Sequence, residues 1–238
     1  MAARILVVNP NSTQAVTDSM SAALEGFRLP GAPTLQCETL RTGPPGIENQ
    51  AHVDGITDKL LIEFGANAPW RSADAVVVAC FSDPGVQALR ETLKQPVLGI
   101  AECGYYTAAS VADRFGVIAI LSRSIPRHRR QQRLLGLEHR LAGELALELG
   151  VVELSNERVT WERMLDVGQR LVRDHGANVI VMGCAGMARY RDRLEAETGV
   201  PVIDPTQAAV GMACGIIAAR RAVNTTALFD SSQMELSQ

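Results

Sequence analysis

Cys80 and Cys184 stand at matching points of a 238-residue chain. The first closes the run Val76-Val77-Val78-Ala79 and leads into Phe81-Ser82-Asp83-Pro84-Gly85. The second closes Val179-Ile180-Val181-Met182-Gly183 and leads into Ala185-Gly186-Met187. A short apolar run that stops at turn residues and opens into an amphipathic pattern predicts a buried parallel strand delivering a thiol to a helix start. There, backbone N–H groups and the helix dipole are expected to lower the thiol pKa from its usual value of about 8.5. The same N–H groups can hold an anionic oxygen. Two facing thiols suit inversion of a carbon stereocentre beside a carbonyl. One thiolate removes the α-proton from one face, and the other thiol supplies a proton to the opposite face. Backbone donors hold the planar enolate between the two steps. The scheme requires no redox or organic cofactor. The competing reading is two inert core cysteines, since cysteine is among the most buried residue types; the duplicated context favours function.

The repeat extends beyond the thiols. Amphipathic patterns follow each one, over residues 86–94 and 189–198, and the chain then returns through Pro96-Val97-Leu98-Gly99-Ile100 and Pro201-Val202-Ile203-Asp204-Pro205. Ile5-Leu6-Val7-Val8 before Asn9-Pro10-Asn11-Ser12 matches Phe115-Gly116-Val117-Ile118-Ala119-Ile120-Leu121 before Ser122-Arg123-Ser124. Self-similarity on this scale predicts two related α/β lobes. Each places its thiol at the carboxyl edge of a parallel sheet, where open α/β sheets bind ligands. The expected active site is the cleft between the lobes, with a sulfur on each wall. The lobes are expected over residues 1–102 plus 216–238, and over 103–215.

Around this frame, Ser12 or Thr13 offers an N-cap for a first helix running toward Glu25. The Asn9–Ser12 turn reads equally as a capping turn or as a set of donors to carbonyl oxygens. Glu102 reads as site-facing, or as a helix-start carboxylate favoured by the dipole. Residues 41–46 form a Pro/Gly loop suited to a lid or rim, and residues 47–64 a helix. Residues 125–149 are expected to be helical, with the basic cluster Arg127-His128-Arg129-Arg130 on a solvated face. Cys37, Cys103 and Cys214 are expected to pack in core or wall positions. A final helix is expected over 206–223, with a polar tail from Asn224.

Composition bounds the rest. The chain is 47% hydrophobic and 21% charged, with a net charge of −3, which argues against a general nucleic-acid surface. The five cysteines lack the close paired spacings of zinc or redox motifs and the four histidines are scattered, so no metal is expected. The apolar run after Arg4 is too short for a signal-peptide core, and no run approaches a membrane span. A cytoplasmic protein without a membrane partner is expected.

Taken together, five segments resemble the hydantoin and allantoin racemases of the aspartate/glutamate racemase superfamily. They are Ile5-Leu6-Val7-Val8-Asn9-Pro10-Asn11-Ser12, Ala79-Cys80-Phe81-Ser82-Asp83-Pro84-Gly85, Gly99-Ile100-Ala101-Glu102, Gly183-Cys184-Ala185-Gly186-Met187 and Gly199-Val200-Pro201-Val202-Ile203-Asp204. The resemblance covers nearly the whole chain. It implies two pseudo-symmetric flavodoxin-like lobes, a cofactor-independent two-base mechanism acting on a small molecule with a hydantoin-type ring, and homo-oligomers. By motif position it makes Cys80 and Cys184 the acid/base pair. Asn11 and the backbone around Phe81, Ser82, Ala185 and Gly186 become contacts to the substrate's carbonyls and amides. Many relatives carry a small residue where Cys103 stands and threonines near Ala119-Ile120. Ile120 is therefore expected on a substrate wall that suits a different C5 substituent, or a substrate other than a hydantoin. Competing readings are another superfamily chemistry (amino-acid racemization, malonate decarboxylation or diacid isomerization) and a non-catalytic small-molecule sensor. Diacids should want a cation in the cleft, and the motif loops supply none.

Overall fold

The duplicated apolar runs become interior strands of two parallel sheets. A computed structural model describes residues 3–234, with side chains described as far as Arg220. The first sheet holds β1 (Arg4–Asn9), β2 (Thr34–Thr39), β3 (Ala75–Val78) and β4 (Val97–Gly99) in the order β2-β1-β3-β4. The second holds β5 (Phe115–Ala119), β6 (Leu141–Ala146), β7 (Val179–Met182) and β8 (Val202–Ile203) in the order β6-β5-β7-β8. The two orders are the same, and every pairing is parallel. In both sheets the strand order reverses beside the first strand, so each carboxyl edge carries a crevice at that point.

The helices are α1 (Gln14–Ala23), α2 (Gln50–Ala66), α3 (Ala68–Arg71), α4 (Val86–Thr92), α5 (Ile100–Val111), α6 (Ile125–Leu134), α7 (Glu157–Arg173), α8 (Arg191–Thr198) and α9 (Pro205–Met234). Both faces of the inner strands are covered, which is why the runs read as continuously apolar rather than alternating. Leu6, Val8, Val76 and Val78 share a cluster with Ile56, Leu60 and Phe64 of α2 and Leu89 of α4. Ile5, Val7 and Val77 share another with Met20 of α1, Leu24 just after it, and Ala209, Val210 and Ala213 of α9.

The lobes exchange helices. α5 follows the last strand of the first sheet, yet its Ala101, Tyr105 and Ala108 pack with Phe115, Val117, Val179 and Val181 of the second. α9 follows the last strand of the second sheet and packs against α5 and β3. The expected lobe limits at 102/103 and 215/216 thus fall inside α5 and α9. Helix continues past Asn224 to Met234, where a polar tail was expected; residues 1–2 and 235–238 lie outside the described residues.

One expected element is corrected. Residues 125–149 are not a single helical region: α6 stops at Leu134, and Leu141–Ala146 is the strand β6. Gly136, at φ +72°, ends α6, with Leu137 N–H bonding the Gln132 carbonyl and Gly136 N–H the Arg133 carbonyl. That is a left-handed helix stop. Leu141, Ala142, Glu144, Leu145 and Ala146 are good helix formers, and pairing with β5 overrides their propensity.

Candidate active site

Both cysteines lie two residues past the end of an interior strand. Ala79 N–H bonds the Val8 carbonyl at 2.8 Å, and Gly183 N–H bonds the Ile118 carbonyl at 2.8 Å, so each lead-in residue is still tied to its sheet. A Cβ on Gly183 would stand 2.5 Å from the Ile118 oxygen. Only glycine lets the chain pass there before turning out to Cys184.

The two thiols, both half-buried, face one small cavity of about 30 Å3. Asn11, Phe81, Ser82, Ile120 and Ala185 line it with them, as do Ile47, Ser124, Arg127, His128 and Val151. Gly186 stands just outside the lining and donates its N–H to Cys184 Sγ at 3.4 Å. Asn9 Nδ2 (3.0 Å) and Thr13 N–H (2.9 Å) both donate to one side-chain atom of Asn11, which fixes that atom as Oδ1. The amide nitrogen of Asn11 is left for the cleft. Ser82 N–H is turned to the Cys80 carbonyl at 2.8 Å, so among the expected oxygen donors it is already engaged. The Phe81 side chain is buried, packing edge-on against Tyr105 and His128 at 5.2 Å each. It plugs the first lobe into the core of the second, and only its backbone remains for a ligand.

The expected lowering of the thiol pKa values is overturned. Burial pushes Cys80 up to about 12, helped by Cys184 and Asp83, against the opposing pull of Arg127 and of the Ser82 N–H. Burial likewise pushes Cys184 up to about 11; the Gly186 N–H lowers it, while Asp204 and Glu48 raise it. The geometry explains the difference from expectation. α4 begins only at Val86, with the turn through Asp83 (φ +46°) and Gly85 (φ +72°) between it and Cys80, so the start of α4 is set back from that sulfur. Cys184 caps a short 3-10 segment, Ala185–Tyr190, and not an α-helix.

Two carboxylates beside the thiol loop, one of them (Glu102) left open by the sequence, have structural roles. Asp83 accepts from the N–H groups of Ala101 and Glu102 at 2.8 Å each and from Gln131 Nε2 at 2.6 Å, capping α5. Glu102 reaches back to Gly99 N–H at 3.2 Å and pairs with Arg90, the helix-start role. Cys103 is buried in α5, as expected.

The expected solvated face at 127–130 is also corrected. Arg129 and Arg130 are exposed, but Arg127 and His128 are buried against the cleft. Arg127 Nε donates to Ser82 Oγ at 3.0 Å, and His128 Nδ1 meets Glu144 Oε1 at 2.5 Å. Arg127 therefore supplies the cation that the motif loops lack. Glu48 closes the opposite rim, accepting from Val151 N–H at 3.0 Å and from Arg123 Nη2 at 2.7 Å. The signal for Arg127 lay in helical spacing: Arg127, His128 and Gln131 fall on the face of α6 turned to Ser82, Glu144 and Asp83.

Two like-built α/β lobes that close a small cavity over a pair of thiols define an α/β enzyme with its candidate site between the lobes. The chain belongs to the Asp/Glu/Hydantoin racemase family, whose model matches residues 5–213, and it is an isomerase of the racemase type. It is 35% identical to a hydantoin racemase from Paenarthrobacter aurescens over 90% of this chain and 91% of that one. It is 36% identical to a hydantoin racemase from Rhizobium meliloti, covering 94% and 93%. Among solved structures it is similar to the allantoin racemase from Klebsiella pneumoniae, with a TM-score of 0.86 and 32% identity, covering 92% and 89%. No helix among the described residues is long and apolar enough to cross a membrane.

Proposed function

We propose that this chain racemizes 5-substituted hydantoins, allantoin included, without a cofactor, by proton transfer between Cys80 and Cys184. The observation that carries the reading is the pair of thiols at equivalent sheet edges, facing one cavity. The hydantoin racemases at 35% and 36% identity support the substrate class.

The hydrogen on C5 of a hydantoin is acidic because the adjoining carbonyl takes up the electron pair. In one direction a Cys80 thiolate removes it, forming S–H and leaving an enolate. The Cys184 thiol then gives its proton to the opposite face and becomes the thiolate. The other enantiomer runs the same steps in reverse. The Asn11 amide and the N–H groups of Phe81 and Ala185 supply donors to the ring oxygens. A general acid or base of this kind contributes about 10²–10⁴-fold.

The cavity of about 30 Å3 has room for about two waters, not for a substituted five-membered ring. Binding therefore requires the contacts across the cleft, Arg127–Ser82, Glu48–Arg123 and Gln131–Asp83, to part and re-form. The test is chiral chromatography of enantiopure 5-substituted hydantoins and allantoin, with a no-enzyme control. Enzyme-dependent loss of optical purity is expected; no acceleration on alkyl, aromatic or ureido substituents would contradict the reading.

A further inference from the structure

Arg127 has a cost that its contacts do not cover. Its side chain is carried on α6 in the second lobe and is 9% exposed. Its hydrogen bonds go to two neutral hydroxyls, Ser82 Oγ at 3.0 Å and Ser124 Oγ at 3.3 Å. A guanidinium taken this far from water is strongly destabilised unless an anion accompanies it. On its outer side Arg127 borders a second cavity with Asp83 and Glu102. Among the described residues it is the sole Lys or Arg lining the cavity between the thiols, and no Asp or Glu lines that cavity. The groups there that can become anionic are the two thiols. The proton transfer proposed above passes a single negative charge from thiolate to enolate to thiolate, so one fixed cation balances the cavity at every stage.

We infer that Arg127 is the charge partner of Cys80, and that its positive charge stabilises the thiolate of Cys80 when it forms in the closed cleft. The neighbouring charges fit this division. Cys80 is faced by Arg127 from α6, by Cys184 from the loop after β7 and by Asp83 from its own loop. Arg127 is faced by Arg123 and Arg130 from its own segment and by Asp54 from α2. Among the described residues no cation is set against Cys184; Asp204 and Glu48 stand on its side. Asp83 spends its oxygens on capping α5 and on Gln131, and the buried His128–Glu144 pair satisfies itself. Neither competes for the guanidinium. Arg127 is a positioning residue in this account: it acts on the reacting carbon through the sulfur.

The test pairs turnover with thiol chemistry. The turnover arm rests on the hydantoin reading; the alkylation arm stands without it. In Arg127→Met, kcat on a 5-substituted hydantoin is expected to fall about 10²-fold with a smaller change in KM, and Arg127→Lys to recover most of the loss. Alkylation by neutral iodoacetamide at fixed mildly alkaline pH, followed by peptide mass spectrometry, is expected to slow about tenfold at Cys80 relative to Cys184. An unchanged Cys80-to-Cys184 ratio would overturn the inference. So would faster labelling of both thiols with a raised KM and no rescue by lysine, the signature of a mere latch between lobes. Arg127→Gln, which keeps a hydrogen-bonding amide, gives the same comparison if the methionine variant does not fold. If the wild-type chain racemizes no hydantoin, the substrate reading fails and the alkylation ratio still decides the role of Arg127.

Discussion

Cys80 and Cys184 occupy the same place in two sheets of the same strand order, each the second residue past an interior strand, and both face one cavity. Their surroundings are not the same. Arg127 stands by the first sulfur, and Asp204 and Glu48 by the second. The matching strand order accounts for the shared position, and the segments packed across each edge account for the difference in charge.

The raised thiols fix the direction of the pH dependence. With Cys80 at about 12 and Cys184 at about 11, the form carrying one thiolate is scarce at neutral pH and grows tenfold per unit as pH rises. The logarithm of kcat/KM, corrected for uncatalysed exchange, is expected to climb with a slope near one from about pH 7 to 9. A flat profile over that range would mean that the thiolate is already formed.

Glu48 should act on Cys184 through charge and on binding through the rim. Glu48→Gln removes the negative charge that raises Cys184 and weakens the pair with Arg123. Alkylation of Cys184 at fixed pH is expected to quicken about threefold and KM to rise by a similar factor. Both are read by peptide mass spectrometry and initial rates.

Gly183 tests the strand-to-thiol geometry. In Gly183→Ala the new methyl carbon meets the Ile118 carbonyl oxygen at 2.5 Å, so backbone must shift at the end of β7. A loss of about 1–3 kcal/mol is expected in denaturant titration. The loss of kcat should exceed what the folded fraction explains, because the residue displaced next is Cys184.

Asp204 makes stability depend on pH. Its side chain is buried at the start of α9, with Oδ1 taking Gln207 N–H at 2.7 Å and Oδ2 without a partner. Burial pushes its pKa up to about 6, above the unfolded value of about 3.9. The folded chain then holds a proton that the unfolded chain has lost. This contribution to stability is complete below about pH 4 and declines as pH rises to about 6, by up to about 1.4 kcal/mol per unit. Asp204→Asn keeps the cap and should remove that slope from the difference between the two proteins' pH–stability curves.

The sequence carried the frame of the site further than its walls. Val76–Val78 and Val179–Val181 could be read because both faces of an interior strand are apolar, and the cysteines stand out where those runs end. β6 was illegible because its leucines, alanines and glutamate favour helix locally and become strand only by pairing with β5. Gly136 was the signal passed over. Arg127 carried a helical-spacing signal, but the Ser82 hydroxyl it bonds lies 45 residues earlier and on the other lobe, so a charged run read as solvated. The thiol pKa values failed for a related reason: the expected helix starts are set back or replaced by a 3-10 turn, and the burial that desolvates both sulfurs has no local signature.

The central claim is that two opposed thiols, and not one, move the proton at C5. The direct measurement is the wild-type reaction of one enantiopure 5-substituted hydantoin in D₂O, stopped at low conversion, with the two enantiomers separated and their C5 isotope content read by proton NMR. The same assay is run on Cys80→Ser and Cys184→Ser. The account predicts deuterium in the inverted product and protium retained in the recovered starting enantiomer. Each serine variant should lose racemization by about 10²–10⁴-fold. Deuterium appearing equally in the recovered starting enantiomer, or full racemization by either serine variant, would contradict it.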